Sequence, residues 1–375
     1  MSARLIFRHW WKRLRHFGAG EGDAQGCSRE HEILQNSVRL GDELVPPHPD
    51  RGNRLAKHLF FAGKLIVSAA CFWYVLRHIS VNETLRALST FDIGWAILAV
   101  LVGVTQIPLL ALRLRAIMLG LAARPARLSY LGATAVTAIY AMIAQILPSL
   151  AGEGIRAWML IRFGYGWGIA VKGVMIDRAI GAAVLFAFAC AILPLPSALT
   201  ALSGYRTPVI VVFGGALILG VYSLLLTPRM APWLQRWRYS YWVGSFAADA
   251  HRVLLGAQGT RIFGTSCLIH VLTIIIIWLV SRAQGLSLSA PDCAVLFTVM
   301  VGVLLVPISV GGWGLREFAV VSLLGANGVG PERAVLFSVC FGLVFMVSAL
   351  PGAVVYVLYP LPTKGAVFDV MNRAV

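Results

Sequence analysis

Long apolar runs separated by short basic connections dominate the chain after about residue 56. Each run is near the length of about 20 residues that a helix needs to cross the hydrocarbon core of a membrane. The eight runs cover 57–79, 93–112, 129–147, 172–193, 208–227, 262–281, 292–306 and 334–358. With 58% hydrophobic and 13% charged residues, the pattern predicts an all-α polytopic membrane protein and excludes a soluble fold.

The basic connections constrain how these runs cross the membrane. The connection after 93–112 holds four arginines and no acid, and residues 228–261 hold five arginines against one aspartate. Both connections should therefore face the cytoplasm. Three apolar runs lie between the two connections, and as complete crossings they would place the connections on opposite sides of the membrane. This conflicts with the distribution of charge. The arginines of the first connection are Arg113, Arg115, Arg124 and Arg127.

Two related motifs, at Pro148–Arg156 and Pro307–Glu317, interrupt the apolar runs and share a proline, a serine, a glycine pair and a Gly-aliphatic-Arg ending. The conflict disappears if the chain breaks at mid-membrane within the first motif and returns as a half-helix through about Arg162. The same interpretation makes 292–306 and 315–325 a second hairpin. Two ordinary interhelical loops are the alternative.

The resulting architecture is an inverted repeat of span, span, re-entrant hairpin and span, with about six full spans, two broken hairpins and both termini in the cytoplasm. We expect repeat 1 over 57–200 and repeat 2 over 201–360, the latter with an interfacial segment over 228–260. Residues 361–375 would form a cytoplasmic tail. Residues 1–56 are predicted to be a basic, partly disordered cytoplasmic segment; its opening is either an interfacial amphipathic helix, a disordered tail or a misplaced start.

The two tips suggest a path for a lipid headgroup. A half-helix N-terminus favours an anion, and the guanidinium groups of Arg156 and Arg316, which we expect just inside those starts, suit phosphate. Bracing by Glu153 and Glu317 is the alternative. The charged pair at 177–178, expected one turn into its span, must face the interior, with functional and bracing roles equally open. The candidate path comprises Ser149, Gly152, Glu153, Gly154, Arg156, Asp177, Arg178, Ser309, Gly311, Gly314, Arg316 and Glu317.

Other classes of function find little support in the sequence. The net charge of +16 lies in clusters between spans, which favours contact with anionic lipid at cytoplasmic loops over nucleic acid. No P-loop is present, so ATP is not the evident energy source. Six cysteines show neither paired nor metal spacing, and His270 stands alone in an apolar span. We therefore expect no catalytic residue, metal or cofactor.

The two motifs, together with Val174–Gly181, resemble those of the lysylphosphatidylglycerol synthase transmembrane-region family, the flippase portion of the bacterial multiple peptide resistance factor. The resemblance covers about residues 57–360. It implies translocation of lipid between leaflets along a path that includes, by position, Gly154, Arg156, Asp177, Arg178, Gly314, Arg316 and Glu317. Full-length synthases carry a soluble aminoacyl-transferase domain that does not match this chain, so we do not expect aminoacylation here.

The sequence thus predicts a protein that moves a polar or anionic lipid, aminoacylated and glycosylated lipids included, across a bacterial inner membrane without hydrolysing ATP. The alternative is a membrane scaffold that presents lipid to a separate lipid synthase or glycosyltransferase through residues 1–50. A membrane-embedded transferase lacks a strong candidate carboxylate. The sequence leaves open whether the protein acts as a monomer or a homodimer.

Overall fold

The computed structural model describes Ser89 and residues 91–122, 128–146, 149–194, 206–236, 240–305 and 314–358. Within these ranges the chain is helical, without strands. The helices are α1 (Ile93–Leu121), α2 (Tyr130–Ile146), α3 (Ser149–Arg162), α4 (Trp167–Ile192), α5 (Arg206–Gln235), α6 (Tyr241–Leu254), α7 (Gly259–Ala283), α8 (Ala290–Leu305), α9 (Leu315–Gly325), α10 (Pro331–Ser348) and α11 (Pro351–Leu358).

Several predicted features lie outside the described residues. They are the N-terminal segment 1–56, the first span 57–79, Arg124 and Arg127, the tip residues Pro148, Pro307, Ser309 and Gly311, and the tail 361–375.

Five helical segments in the described part of the chain are long and apolar enough to cross a membrane. They are α1, α4, α5, α7 and the continuous segment formed by α10 and α11. Helices α2 and α8 are shorter apolar helices. The prediction of a helical, polytopic membrane protein is therefore confirmed. The short helices also have the expected bounds: α3 ends at Arg162, and α9 covers the predicted 315–325.

The start or end of three spans differs from the prediction. Helix α1 continues to Leu121, so Arg113 and Arg115 are helical and do not lie in a connection. Helix α4 begins at Trp167, which places the 177–178 pair about three turns into the helix instead of one. In the sequence a charged residue marks the end of an apolar run, but a charge that is paired inside the protein does not end a helix.

The third difference is in α5, which runs through Pro228 and Pro232 to Gln235. A proline has no N–H, so Pro228 leaves the carbonyl of Leu224 without its helical hydrogen bond. The Nδ1 atom of His251 in α6 lies 2.8 Å from that carbonyl oxygen. Because a carbonyl can only accept, His251 is the donor. The side chain from α6 thus replaces the bond that Pro228 cannot make.

Two hydrophobic clusters hold the helices together. The first joins α1, α2, α3 and the start of α4, with contributions from α6 and the start of α7; its members include Ile117, Leu160 and Val253. The second joins the first part of α1 and the end of α4 with α7, α8, α9 and α10, and includes Phe297 and Phe337. Helix α6, predicted as part of an interfacial segment, therefore contributes to a core through one face, while Trp242 remains exposed on it.

Candidate functional site

A buried carboxylate pairs with two arginines among the helices of the first hydrophobic cluster. Asp177 in α4 is 2% exposed and lies between two arginines. Arg113 of α1 donates from Nε to its Oδ1 at 2.7 Å and from Nη2 to its Oδ2 at 3.2 Å. Arg156 of α3 donates from Nη1 to Oδ2 at 2.7 Å. Ser266 of α7 accepts a further bond from Nη1 of Arg113 at 3.3 Å. Four helices therefore meet at one ion-pair network.

A second acid, Glu153, extends this network toward the surface. Its Oε1 accepts from the hydroxyl of Tyr140 at 2.5 Å and from Nε of Arg178. Nη2 of Arg178 also donates to the Tyr140 hydroxyl at 3.0 Å. The Arg178 side chain is 44% exposed, whereas Arg156 and Asp177 are buried. The network therefore runs from an accessible arginine to a buried one.

The residues around the second motif form a separate network. Arg316 of α9 donates to Oε1 of Glu317 from Nε at 3.1 Å and from Nη2 at 2.6 Å. Ser338 of α10 donates to the same oxygen at 3.0 Å. The other oxygen of Glu317 accepts the backbone N–H of Gly314 at 2.6 Å. Glu317 is completely buried, so all of its contacts are inside the protein.

The two motifs are not structurally equivalent, which the sequence did not predict. Gly314 has φ of +86° and immediately precedes α9, so Arg316 lies just inside the helix start as expected. In the first motif α3 already begins at Ser149. Arg156 is therefore about two turns into the helix, and the expectation that it lies near a helix N-terminus is wrong. Gly154 is an exposed helical residue with open space where a Cβ would be.

The remaining predicted residues lie around these networks. Gly152 is buried against α2, where a Cβ would be 3.6 Å from the Tyr140 ring. Ser149 is the first residue of α3. The structure thus brings Glu153, Arg156, Asp177 and Arg178 together, and separately Gly314, Arg316 and Glu317.

Sequence reasoning missed several residues of both networks. It placed Arg113 in a cytoplasmic connection, and it did not single out Tyr140, Ser266 or Ser338. No clear signal was available for Arg113, because it directly follows the run 93–112 and looks like the polar boundary of a span. The hydroxyl groups carried no signal, because serine and tyrosine are common in membrane helices.

The network around Asp177 has an excess of positive charge. Three arginines face two carboxylates, Asp177 and Glu153, which leaves one positive charge. Burying such a charge is costly unless an anion compensates it. Among the described residues no three or more His, Cys, Asp or Glu side chains are grouped as metal ligands would be. His270 is packed: its Nε2 lies 3.1 Å from the carbonyl of Gly181, and Phe188 and Phe297 lie beside its ring.

The fold and the buried ion pairs define a multi-pass helical membrane protein with a charged interior. The family model described as the lysylphosphatidylglycerol synthase TM region matches residues 61–352. The chain belongs to this family of membrane domains, which is linked to lipid modification and flipping. No curated protein and no solved structure matches the chain.

Proposed function

We propose that this chain moves the headgroup of a polar or anionic lipid between the leaflets of a bacterial inner membrane, without hydrolysing ATP itself. The observation that carries the proposal is the buried network of Arg113, Arg156 and Asp177, bordered by the accessible Arg178. Charged side chains inside membrane proteins are costly and commonly mark the path of a charged substrate. The surplus positive charge favours an anionic headgroup.

The proposal includes the re-entrant arrangement. Helices α3 and α9 have 14 and 11 residues, which is short of the roughly 20 residues that a crossing needs. This supports two hairpins, formed by α2 with α3 and by α8 with α9, inside an inverted repeat whose termini are cytoplasmic. Both charged networks would then lie at membrane depth, where irregular backbone must be covered by protein or water.

The lipid partner and the basic residues have distinct roles in this proposal. The headgroup passes the arginine network while its acyl chains remain in the bilayer. Basic residues near the end of α5, such as Arg229 and Arg236, contact anionic lipid at the cytoplasmic surface. A separate enzyme would supply or consume the lipid, since no catalytic step is assigned to this chain.

Transport by the purified protein in proteoliposomes tests the proposal. A headgroup-labelled anionic phospholipid should reach the opposite leaflet in wild-type vesicles, and Arg156→Ala plus Arg316→Ala should reduce the rate to that of protein-free vesicles. Removing Arg316 also takes two hydrogen bonds from the buried Glu317. The single variant Arg156→Gln is therefore included, because Asp177 keeps Arg113 as a partner.

Arg252→Ala is the matched control. The Arg252 side chain is 58% exposed, and its ion pair with Asp249 lies on the same helix, so wild-type transport is expected. Wild-type rates in folded Arg156→Gln protein would overturn the assigned path. If the wild type moves neither the labelled lipid nor a total lipid extract of the host, the proposed function is wrong.

A further inference from the structure

The buried arginines differ in what faces one edge of the guanidinium group. On one edge of the guanidinium group, Nε and Nη2 each direct an N–H group outward in parallel. We call this edge the fork, and it matches two oxygens of a carboxylate or phosphate. In Arg113 this fork binds both oxygens of Asp177. In Arg316 the same two nitrogens donate to Glu317. Each of these forks thus has a carboxylate of the protein as its acceptor.

Arg156 presents the same fork without an acceptor. Its Nε and Nη2 are buried and have no hydrogen-bond partner among the described residues, in a side chain that is 2% exposed. Both neighbouring acids approach the other nitrogen, Nη1, with Asp177 at 2.7 Å and Glu153 at 3.8 Å. The Tyr140 ring lies 4.7 Å from Cζ. The acids therefore leave the fork edge of this buried guanidinium without an acceptor among the described residues.

An unsatisfied fork at this depth calls for an acceptor. Buried donors are almost always paired in folded proteins, and an unpaired donor on a charged group is especially costly. The surrounding network also keeps one uncompensated positive charge. A single oxoanion with one negative charge would satisfy both the two donors and the charge, whereas a neutral acceptor would satisfy the donors alone.

We propose that the Nε and Nη2 edge of Arg156 binds one singly charged oxoanion in a bidentate manner, and that this oxoanion is the phosphodiester of a lipid headgroup. The assignment to a lipid rests on the proposed function, since free phosphate presents the same pair of acceptor oxygens. Two nearby positions are accessible: the Arg178 side chain is 44% exposed, and Gly154 has open space where a Cβ would be.

Binding to the purified full-length chain in dodecyl maltoside tests this inference. Dihexanoyl-phosphatidylglycerol and inorganic phosphate are titrated separately by calorimetry into the wild type, Arg156→Lys and Arg252→Lys. Lysine keeps the charge beside Asp177 but has no planar fork. We expect one saturable site for the lipid in the wild type, binding at least about tenfold weaker in Arg156→Lys, and unchanged binding in Arg252→Lys.

The outcomes distinguish bidentate binding by the fork from simple attraction to a positive charge. Equal affinity of the wild type and folded Arg156→Lys, or no saturable binding of either probe to the wild type, overturns the inference. Fork-dependent binding of phosphate that is as tight as that of the lipid assigns the fork to free phosphate and overturns the lipid source. Gel filtration and thermal unfolding show whether each variant is folded.

The result also remains distinct from that of the transport experiment. Lipid transport by the wild type without fork-dependent binding would leave the proposed function standing and overturn this inference. Fork-dependent lipid binding without transport would support the site and overturn translocation as the function.

Discussion

Replacing Asp177 by asparagine should strongly destabilise the protein. Asp177 is shared by Arg113 and Arg156, which make three hydrogen bonds of 2.7, 3.2 and 2.7 Å to its two oxygens. An asparagine at this position would keep one acceptor oxygen, but its NH₂ group would face guanidinium donors. The network would then hold three arginines against one carboxylate, with two of the arginines buried.

The expected cost follows from the burial of both partners. Removing one member of a buried ion pair typically costs about 3–5 kcal/mol, because the other charge stays buried and uncompensated. For a folded domain this corresponds to a fall in Tm on the order of 10 °C. Thermal unfolding of purified Asp177→Asn in detergent, followed by loss of helical circular dichroism or by aggregation, measures the effect.

Glu153→Gln is the matched control for this prediction. The short ion pair of Glu153 is with Arg178, which is nearly half exposed and screened by solvent, and the buried Arg156 is more distant, at 3.8 Å. Loss of the Glu153 charge should therefore cost less than loss of the Asp177 charge, about 1 kcal/mol. Glutamine also keeps an oxygen that can accept from Tyr140. If Asp177→Asn unfolds at the same temperature as Glu153→Gln, the reasoning that Asp177 compensates two buried charges is refuted.

Two further predictions concern backbone positions. Gly314→Ala should destabilise the protein by about 1–3 kcal/mol because φ of +86° is strained for alanine. Gly154→Ala, in an exposed helical position with open space, should stabilise it by up to about 1 kcal/mol. Opposite shifts in Tm would support the structural difference between the two motifs, and shifts of the same sign would contradict it. His251→Ala should cost about 1–3 kcal/mol because the Leu224 carbonyl loses its donor. Adding Pro228→Ala restores a helical N–H, so the double variant should recover part of that loss, and a purely additive result would argue against the proposed replacement.

The sequence predicted most helices correctly, but it missed the ends of α1 and α5 and the start of α4. The length of the apolar runs located α2, α7 and α8 within a few residues, and the hairpin interpretation of the second motif located α9. The end of α1 was missed because Arg113 looked like a polar boundary. Its charge is compensated by Asp177, which is 64 positions later in the sequence, and no local pattern shows such a partner. Helix ends that depend on tertiary ion pairs therefore cannot be located from one sequence.

The candidate residues were easier to find than their arrangement. An arginine or aspartate within an apolar run is conspicuous because membranes penalise it, so Arg156, Asp177 and Arg316 could be selected directly. Their pairing could not. Arg156 was expected to face either a ligand or Glu153, but its close partner is Asp177 on another helix. Which acid faces which arginine depends on helix rotation and packing, and a motif of nine residues does not determine either.

The difference between the two arginine forks favours different roles for the two motifs in the proposed function. Glu317 occupies the fork of Arg316, and the Gly314 N–H and Ser338 hold that carboxylate in place. Releasing Arg316 for a ligand would leave a completely buried carboxylate without its counter-charge, which costs more than an external anion would return. At the first motif both acids bind the opposite side of Arg156, so an anion can bind its fork without breaking an existing ion pair. In the proposed function, the second motif is therefore a brace and the first is the better candidate for a headgroup site.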